Sequence, residues 1–169
     1  RTSPRTVNAT APNVPLPVYG GIWKGVPVTH PDAAPLEVLE AILVSGDNSR
    51  LDKALVNTGE AVEVIATVQA FREAGALGAY AVARPDRIDQ AGATLDAELE
   101  KLRSKPVTEA ELAEAKNEII ASTLRRRETA RGRAFELGEA LLSSGDPAFA
   151  DKRLAAIGSV STEDVMRVA

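Results

Sequence analysis

The chain of 169 residues contains no cysteine, a single histidine and few aromatic residues, namely three Phe, two Tyr and one Trp. Without cysteine it can form neither a disulfide nor a thiolate metal site, an absence that is compatible with a bacterial cytoplasm or periplasm. Of the two compartments, the periplasm is slightly favoured. The scarcity of aromatic residues beside abundant Ala and Leu argues against an all-β sandwich. It favours helices packed on a second layer.

The chain also lacks a long apolar run and an excess of positive charge. No stretch approaches the roughly 18 apolar residues of a membrane-spanning helix, so we expect no membrane span. The formal charge of −4 and the pI near 5.2 argue against a nucleic-acid partner, which usually requires a basic surface. Because the first residue is Arg1, we expect the chain to be a piece of a longer protein.

The order of sequence patterns predicts an α+β fold. Residues 1–17 hold four prolines and no periodicity, which indicates a linker or an extended lead-in. Residues 18–169 predict one domain in the order strand, two helices, two antiparallel strands and then helices. This order is typical of a two-layer sandwich, with helices packed on one face of an antiparallel sheet. We expect the domain to stop before a final strand that follows Ala169.

The second half of the chain predicts a long helix. Thr108 and Glu111 have the spacing of a capping box, and apolar residues then recur at helical spacing as far as Leu141. We expect one helix across the sheet, with a kink near Gly132, while Asp32 is the expected cap of the first helix. The residues predicted to form the core are Leu36, Leu39, Ile42, Leu43, Leu51, Leu55, Leu95, Leu99, Ile119 and Leu137.

The sequence offers no set of residues for catalysis or metal binding. His30 precedes a proline in a predicted turn, without a second histidine at ligand spacing, so we expect it to face solvent. Paired acids such as Glu98 and Glu100 lie two apart on a predicted helix and therefore point to different faces. We predict no catalytic, cofactor-binding or metal-binding residue in this chain.

The strongest charge feature is an arginine cluster in the predicted long helix. Arg126, Arg127, Arg131 and Arg133 are the candidates for a surface that faces a partner domain or a peptide. The alternative is a solvated helix face balanced by glutamates earlier on the same helix. A polyanion-binding module is a third hypothesis, which the acidic net charge disfavours.

Three motifs in order resemble the pitrilysin/insulinase family of zinc metallopeptidases, which includes mitochondrial-processing-peptidase-like proteins. The first holds Asp32, Leu36, Leu39, Leu43 and Gly46, followed by Ser49-Arg50-Leu51 and Leu55. The second, from Pro106 to Glu118, is similar to the start of the long helix in that family. The third, from Ser159 to Val165, is similar to its closing segment. The resemblance covers about residues 18–169.

The resemblance implies a fold and a role. Family members contain repeats of one α/β domain that pair around a peptide chamber, and a His-x-x-Glu-His motif in the first domain binds zinc. This chain lacks that motif, so the resemblance implies the non-catalytic second domain of a half. Its implied role is to form part of the chamber wall and to support proteolysis by a separate zinc domain.

The resemblance also implies partners and leaves one alternative open. The implied partners are the zinc-bearing homologous domain of the same parent and a peptide substrate, with zinc held by the parent's catalytic domain. The alternative is a purely structural module, like the core subunits of catalytically dead relatives. An Arg and a Tyr that hold substrate in the family fall on Val56 and Val62, whose side chains cannot donate a hydrogen bond.

Overall fold

A three-stranded antiparallel sheet with helices packed on one face forms the structure, a computed structural model that describes residues 3–46 and 49–169. The strands are β1 (Val18–Gly25), β2 (Glu63–Ala70) and β3 (Gly75–Val82). The order in the sheet is β1-β3-β2, so the last strand in the sequence is the central one, and both pairings are antiparallel. The predicted α+β sandwich is confirmed.

Six α-helices and one π-helical turn complete the described part of the chain. They are α1 (Ala33–Val44), the π turn (Asp52–Val56), α2 (Ile88–Ser104), α3 (Glu109–Arg127), α4 (Ala130–Ser144), α5 (Phe149–Ser159) and α6 (Thr162–Val168). Residues 3–15 are exposed and contain neither helix nor strand. Asp47 and Asn48, which fall between Gly46 and Ser49 of the first family motif, lie outside the described residues.

The β2–β3 hairpin brings a small apolar face toward the helices. Ala66 pairs with Ala79, and both are buried because alternate residues of a strand point to the same side. The amide of Phe71 donates to the carbonyl oxygen of Ala74 at 2.8 Å, which closes the turn. The predicted antiparallel pair is confirmed, and small side chains in both strands let α1 and α2 approach the sheet closely.

The edge strand β1 is tied to α2 by an aromatic contact. The Tyr19 ring lies against Gly92, where an added Cβ would meet ring atoms at 2.9 Å, and its hydroxyl donates to Asp96 at 2.7 Å. Trp23, the only tryptophan, folds back over Gly21 on the same strand and is 44% exposed. These two rings cover the side of β1 that faces α2.

The core lies between the sheet and α1, α2 and the π turn. Nine of the ten residues predicted for it belong to the packed interior, and Leu137 is the exception. Those that are buried are Leu36, Leu39, Ile42, Leu43, Leu51, Leu55 and Leu95, and those partly buried against them are Leu99 and Ile119.

The predicted cap of α1 is wrong in its chemistry. Asp32 precedes the helix, but its backbone is already helical, with φ −80° and ψ −5°, and its carboxylate caps no amide. A capping side chain normally needs an extended backbone to turn back on the first turn. Asp32 instead accepts a hydrogen bond of 2.6 Å from Arg167, which ties α6 to the start of α1.

The predicted capping box of α3 is confirmed. The hydroxyl of Thr108 accepts from the amide of Glu111 at 3.2 Å, and the Glu111 carboxylate accepts from the amide of Thr108 at 2.8 Å. Arg50 also donates to this carboxylate from Nε at 2.7 Å and from Nη2 at 3.2 Å. The hydrogen bonds from Arg50 are the main reason that the pKa of Glu111 falls to about 2.

The predicted single long helix is also wrong, because the chain forms two helices in this region. α3 ends at Arg127, and Thr129 then starts α4 by accepting a hydrogen bond of 3.0 Å from the amide of Gly132. At Gly132 an added Cβ would overlap the carbonyl oxygen of Arg126. Gly132 therefore permits the close approach of the two helix ends, three residues after the break.

Candidate partner-binding surface

α4 is anchored from one side by ion pairs of Arg127. The Arg127 guanidinium donates to Glu136 from Nε at 2.7 Å, and its Nη1 lies 2.9 Å from Asp151 of α5. These bonds, with Glu136 the larger cause, raise the pKa of Arg127. Ala140 is buried on the same side of the helix. One of the four candidate arginines thus fixes the position of α4 within the domain.

The opposite side of α4 presents large apolar side chains to solvent. Phe135 is 74% exposed and Leu142 is 79% exposed, seven residues apart on one side of the helix. Leu137 and Leu141 are both more than half exposed on the adjoining side. We call these four residues the α4 outer face. The prediction that Leu137 lies in the core is therefore wrong, because the sequence period is the same whichever face of a helix is buried.

The other three candidate arginines have no carboxylate partner within the described residues. Arg131 and Arg133 are exposed on α4, and neither has a carboxylate within 4 Å among the described residues. Arg126 donates to the hydroxyl of Thr123 at 3.3 Å and likewise has no ion pair in the described part of the chain. Arg125 is the one neighbour balanced by an earlier glutamate, Glu118, at 3.0 Å.

A cleft of about 240 Å³ separates α1 from α3. Glu40 and Arg126 line it together with an ion pair between Glu37 and Arg153, whose Nε donates to Glu37 at 2.8 Å. Burial raises the pKa of Glu40 to about 7. Because charges of both signs line the cleft and Glu37 and Arg153 neutralise each other, it does not form a site for an ion of one sign.

The described residues do not fit a zinc site. In residues 3–46 and 49–169, no group of three His, Cys, Asp or Glu side chains lies close enough to hold a metal ion. His30 is exposed, its Nδ1 accepts from the amide of Asp32 at 3.1 Å, and the nearest carboxylate is 3.7 Å away. A protein zinc site needs three or four side-chain ligands. Within the same residues, none of the helices has both the length and the apolar character needed to cross a membrane.

The fold and the surface define a class of protein. It is an α+β domain with helices packed on a sheet, and its described residues offer no set of metal ligands. The model of the peptidase M16 inactive domain family matches residues 1–119, and the chain belongs to that family. The resemblance to the pitrilysin/insulinase peptidases is thereby confirmed.

Similar proteins agree with this assignment. The chain is 32% identical over 136 residues to an uncharacterized zinc protease of Mycobacterium tuberculosis, covering 79% of this chain and 31% of that protein. It is 26% identical over 166 residues to the protein described as mitochondrial-processing peptidase subunit beta of Arabidopsis thaliana, covering 93% of this chain and 31% of that protein. The chain thus spans about a third of these curated relatives.

A solved structure shows the same fold. The inactive peptidase domain of a zinc protease from Bordetella parapertussis superposes with a TM-score of 0.79 at 25% identity, covering 90% of this chain and 83% of that one. That molecule matches this chain over most of its own length, in contrast to the curated relatives.

Sequence reasoning identified the arginines and missed the α4 outer face. Thr129 carried the signal that would have divided the helix, since threonine is a preferred N-cap residue and its hydroxyl accepts from the amide three residues later. With the helix divided there, the apolar residues of α4 would no longer have been assigned to the same buried face as those of α3. The exposed side of α4 would still have required three-dimensional information.

Proposed function

We propose that this chain is a non-catalytic domain that forms part of the wall of a peptide-enclosing chamber and supports proteolysis by a separate zinc-bearing domain. One observation carries the proposal: the chain belongs to the inactive peptidase domain family, and its described residues include no set of metal ligands. The matched relatives are named as zinc proteases or as a processing peptidase subunit, and each extends well beyond the matched segment. Zinc and the chemistry of peptide hydrolysis are accordingly assigned to the partner.

The exposed face of the sheet supports the role of a wall. Val18, Ile22 and Ile65 are exposed, and they share the face opposite the buried Ala66 and Ala79 because alternate residues of a strand point to opposite sides. Apolar side chains on a broad, exposed surface can contact an extended peptide of variable sequence. The sheet therefore offers a peptide-facing surface without requiring a catalytic residue in this chain.

The proposal is tested by reconstitution. The zinc-bearing domain of the parent protein is purified with and without this chain, and cleavage of a fluorogenic peptide is measured. We expect kcat/KM to fall at least a hundredfold without this chain, because the chamber is then incomplete, while the zinc content of the partner stays at one ion.

Two controls give the experiment its direction. This chain with added zinc should cleave no peptide by itself. Full activity of the zinc domain alone would contradict a supporting role. A partner whose His-x-x-Glu-His motif is degraded, in an assembly that cleaves nothing, would favour the alternative of a purely structural module.

A further inference from the structure

We propose that the α4 outer face, together with Arg131 and Arg133, is the surface on which the zinc-bearing homologous domain docks. This inference rests on the proposed function and adds to it the residues that make the contact. The first observation is how exposed these apolar side chains are. Phe135 and Leu142 are the two most exposed large apolar side chains in the described part of the chain, at 74% and 79%. Contiguous exposed apolar side chains on one surface are typical of an interaction site, whereas scattered ones are ordinary.

Small residues lie within this apolar surface. Ala134 and Gly138 are four residues apart on α4, between the row of Leu137 and Leu141 and the row of Phe135 and Leu142. An added Cβ at Gly138 would meet no atom within 4 Å, so the domain itself does not require a glycine there. Small residues between two rows of large side chains leave room for a complementary apolar ridge of a partner.

The surface is presented in a fixed position. Arg127 joins α4 to α5 through Glu136 and Asp151, and these contacts lie on the side of α4 opposite the outer face. A partner therefore meets a helix whose orientation is already set, and little conformational freedom is lost on binding. Covering the outer face breaks none of these ion pairs.

The charge beside the face indicates an acidic partner surface. Arg131 and Arg133 are exposed, and within the described residues neither has a carboxylate within 4 Å. Arg131 lies one turn before Phe135 and Arg133 one turn before Leu137, so each places a positive charge at the start of one apolar row, on a chain whose formal charge is −4. Arginine beside aromatic and aliphatic side chains is typical of the residues that dominate binding energy at protein interfaces. We therefore expect carboxylates around the apolar surface that covers α4.

The occupant follows from the length of the relatives and from the missing ligand set. About two thirds of each curated relative lies outside the segment that matches this chain, so a large part of those proteins remains to contact it. The described residues do not fit a zinc site, although several relatives are named as zinc proteases. The proposed function requires a partner segment that supplies the zinc ligands. We therefore assign that segment to the exposed face of α4. A second copy of this chain or a peptide is a competing outcome.

Photo-cross-linking in the full parent protein tests the position of the partner. Phe135 is replaced by benzoylphenylalanine, and the control carries the same residue at Phe71, which is 59% exposed in the β2–β3 turn. We expect cross-links from position 135 to map to the domain that contains His-x-x-Glu-His, and those from position 71 not to do so. Cross-links from position 135 to a second copy or to peptide alone, equal cross-linking at both positions, or none at position 135 would overturn the proposal.

Binding measurements test the energy of the contact. The double variant Phe135→Ser with Leu142→Ser should raise the Kd for the purified zinc-bearing domain at least tenfold, whereas Phe71→Ser should leave it unchanged. Because both side chains are exposed, the variant should keep the unfolding midpoint of the parent chain. Arg131→Glu with Arg133→Glu should weaken binding more at low salt than at high salt.

The two proposals fail in different ways. If the double variant binds the zinc domain normally and peptide cleavage still requires this chain, the docking surface is wrong and the proposed function stands. If the variant loses binding but the zinc domain is fully active alone, the docking surface stands and the supporting function is wrong. Reading both Kd and kcat/KM for the same variants separates these outcomes.

Discussion

At the scale of single residues, Glu111 connects two parts of the fold. It completes the capping box of α3 and accepts two hydrogen bonds from Arg50, which precedes the π turn. The Glu111 side chain is 32% exposed and that of Arg50 is 18% exposed, so water weakens this pair only in part. The carboxylate thus stabilises a helix terminus and a contact between segments 61 positions apart in the sequence.

Glu111→Gln should destabilise the chain by about 1–2 kcal/mol at pH 7, because the charge in the capping box and the bidentate ion pair are lost together. The pKa of Glu111 in the folded chain, about 2, lies below the ordinary value of 4.5 for a glutamate side chain. The contribution is therefore present above pH 4.5 and is lost as the pH falls through about 2. Urea unfolding across this range measures it.

The matched control is Glu109→Gln, an exposed acid in the first turn of the same helix that has no ion pair within the described residues. Its effect should be smaller, about 0.3–1 kcal/mol from the helix dipole. An equal loss for both variants, or a Glu111 effect that does not change with pH, would show that Arg50 contributes nothing.

Residue-level expectations succeeded where the signal is local. The capping box of Thr108 and Glu111, which the sequence predicts, lies within four residues. Asp32 has the residue type and position of a cap, but Arg167 competes for its carboxylate from 135 positions away. The sequence alone does not show such a distant competitor.

At the scale of elements, the α3–α4 break is held by a glycine that no larger residue can replace without a shift. Gly132→Ala should destabilise the chain by about 1–3 kcal/mol, because the new methyl group overlaps the carbonyl oxygen of Arg126. Ala is otherwise the better helix former by about 1 kcal/mol, so the sign of the effect identifies the steric cause. Chemical unfolding of the purified chain provides the measurement.

Gly138→Ala is the control on the same helix. An added Cβ there meets no atom within 4 Å, so this variant should gain about 0.5–1 kcal/mol from helix propensity. If both glycines responded with the same sign, the close approach of α3 and α4 would not be the reason for glycine at position 132.

Element existence was predictable because strands and helices leave periodic patterns, whereas the direction in which α4 faces was not. α1 has apolar residues on several sides, and eight of its residues are buried against other elements. α4 has a comparable apolar stripe, yet only Ala140 among its residues is buried. The spacing of apolar residues indicates a helix, while the elements that pack around the helix determine which of its sides is buried.

At the scale of the whole molecule, the chain should fold without zinc and gain no stability from it. With one histidine and no cysteine in the sequence, and no suitable carboxylate group among the described residues, no three-ligand site stabilises the native state. Zinc at tenfold molar excess should leave the unfolding midpoint within 1 °C, roughly the change expected when no ligand binds the native state.

Differential scanning fluorimetry measures this midpoint, and elemental analysis after desalting gives the zinc content. The zinc-bearing domain of the parent serves as the positive control, with one ion retained. One zinc per molecule of this chain, together with a higher midpoint, would contradict the assignment of the metal to the partner.

Family membership followed from motifs that have structural reasons to recur. The segment from Pro106 to Glu118 combines a helix stop, a capping box and the start of α3, and the Ser49-Arg50-Leu51 segment supplies Arg50 to that same cap. A partner-binding surface has no such local sequence pattern. Its apolar residues resemble core residues in sequence and are distinguished only by what the rest of the fold leaves uncovered.

Trp23 gives the protein a built-in optical reporter of its sheet edge. It is the only tryptophan, it lies over Gly21 on β1, and it is 44% exposed. All indole emission therefore comes from one strand at the edge of the sheet. Any strand or peptide that covers this edge should shift that emission to shorter wavelength, because the ring leaves water for an apolar contact. Because β1 packs on β3 and α2, association through α4 should leave this emission unchanged, so a single unlabelled sample can distinguish occupation of the sheet edge from association through the helix.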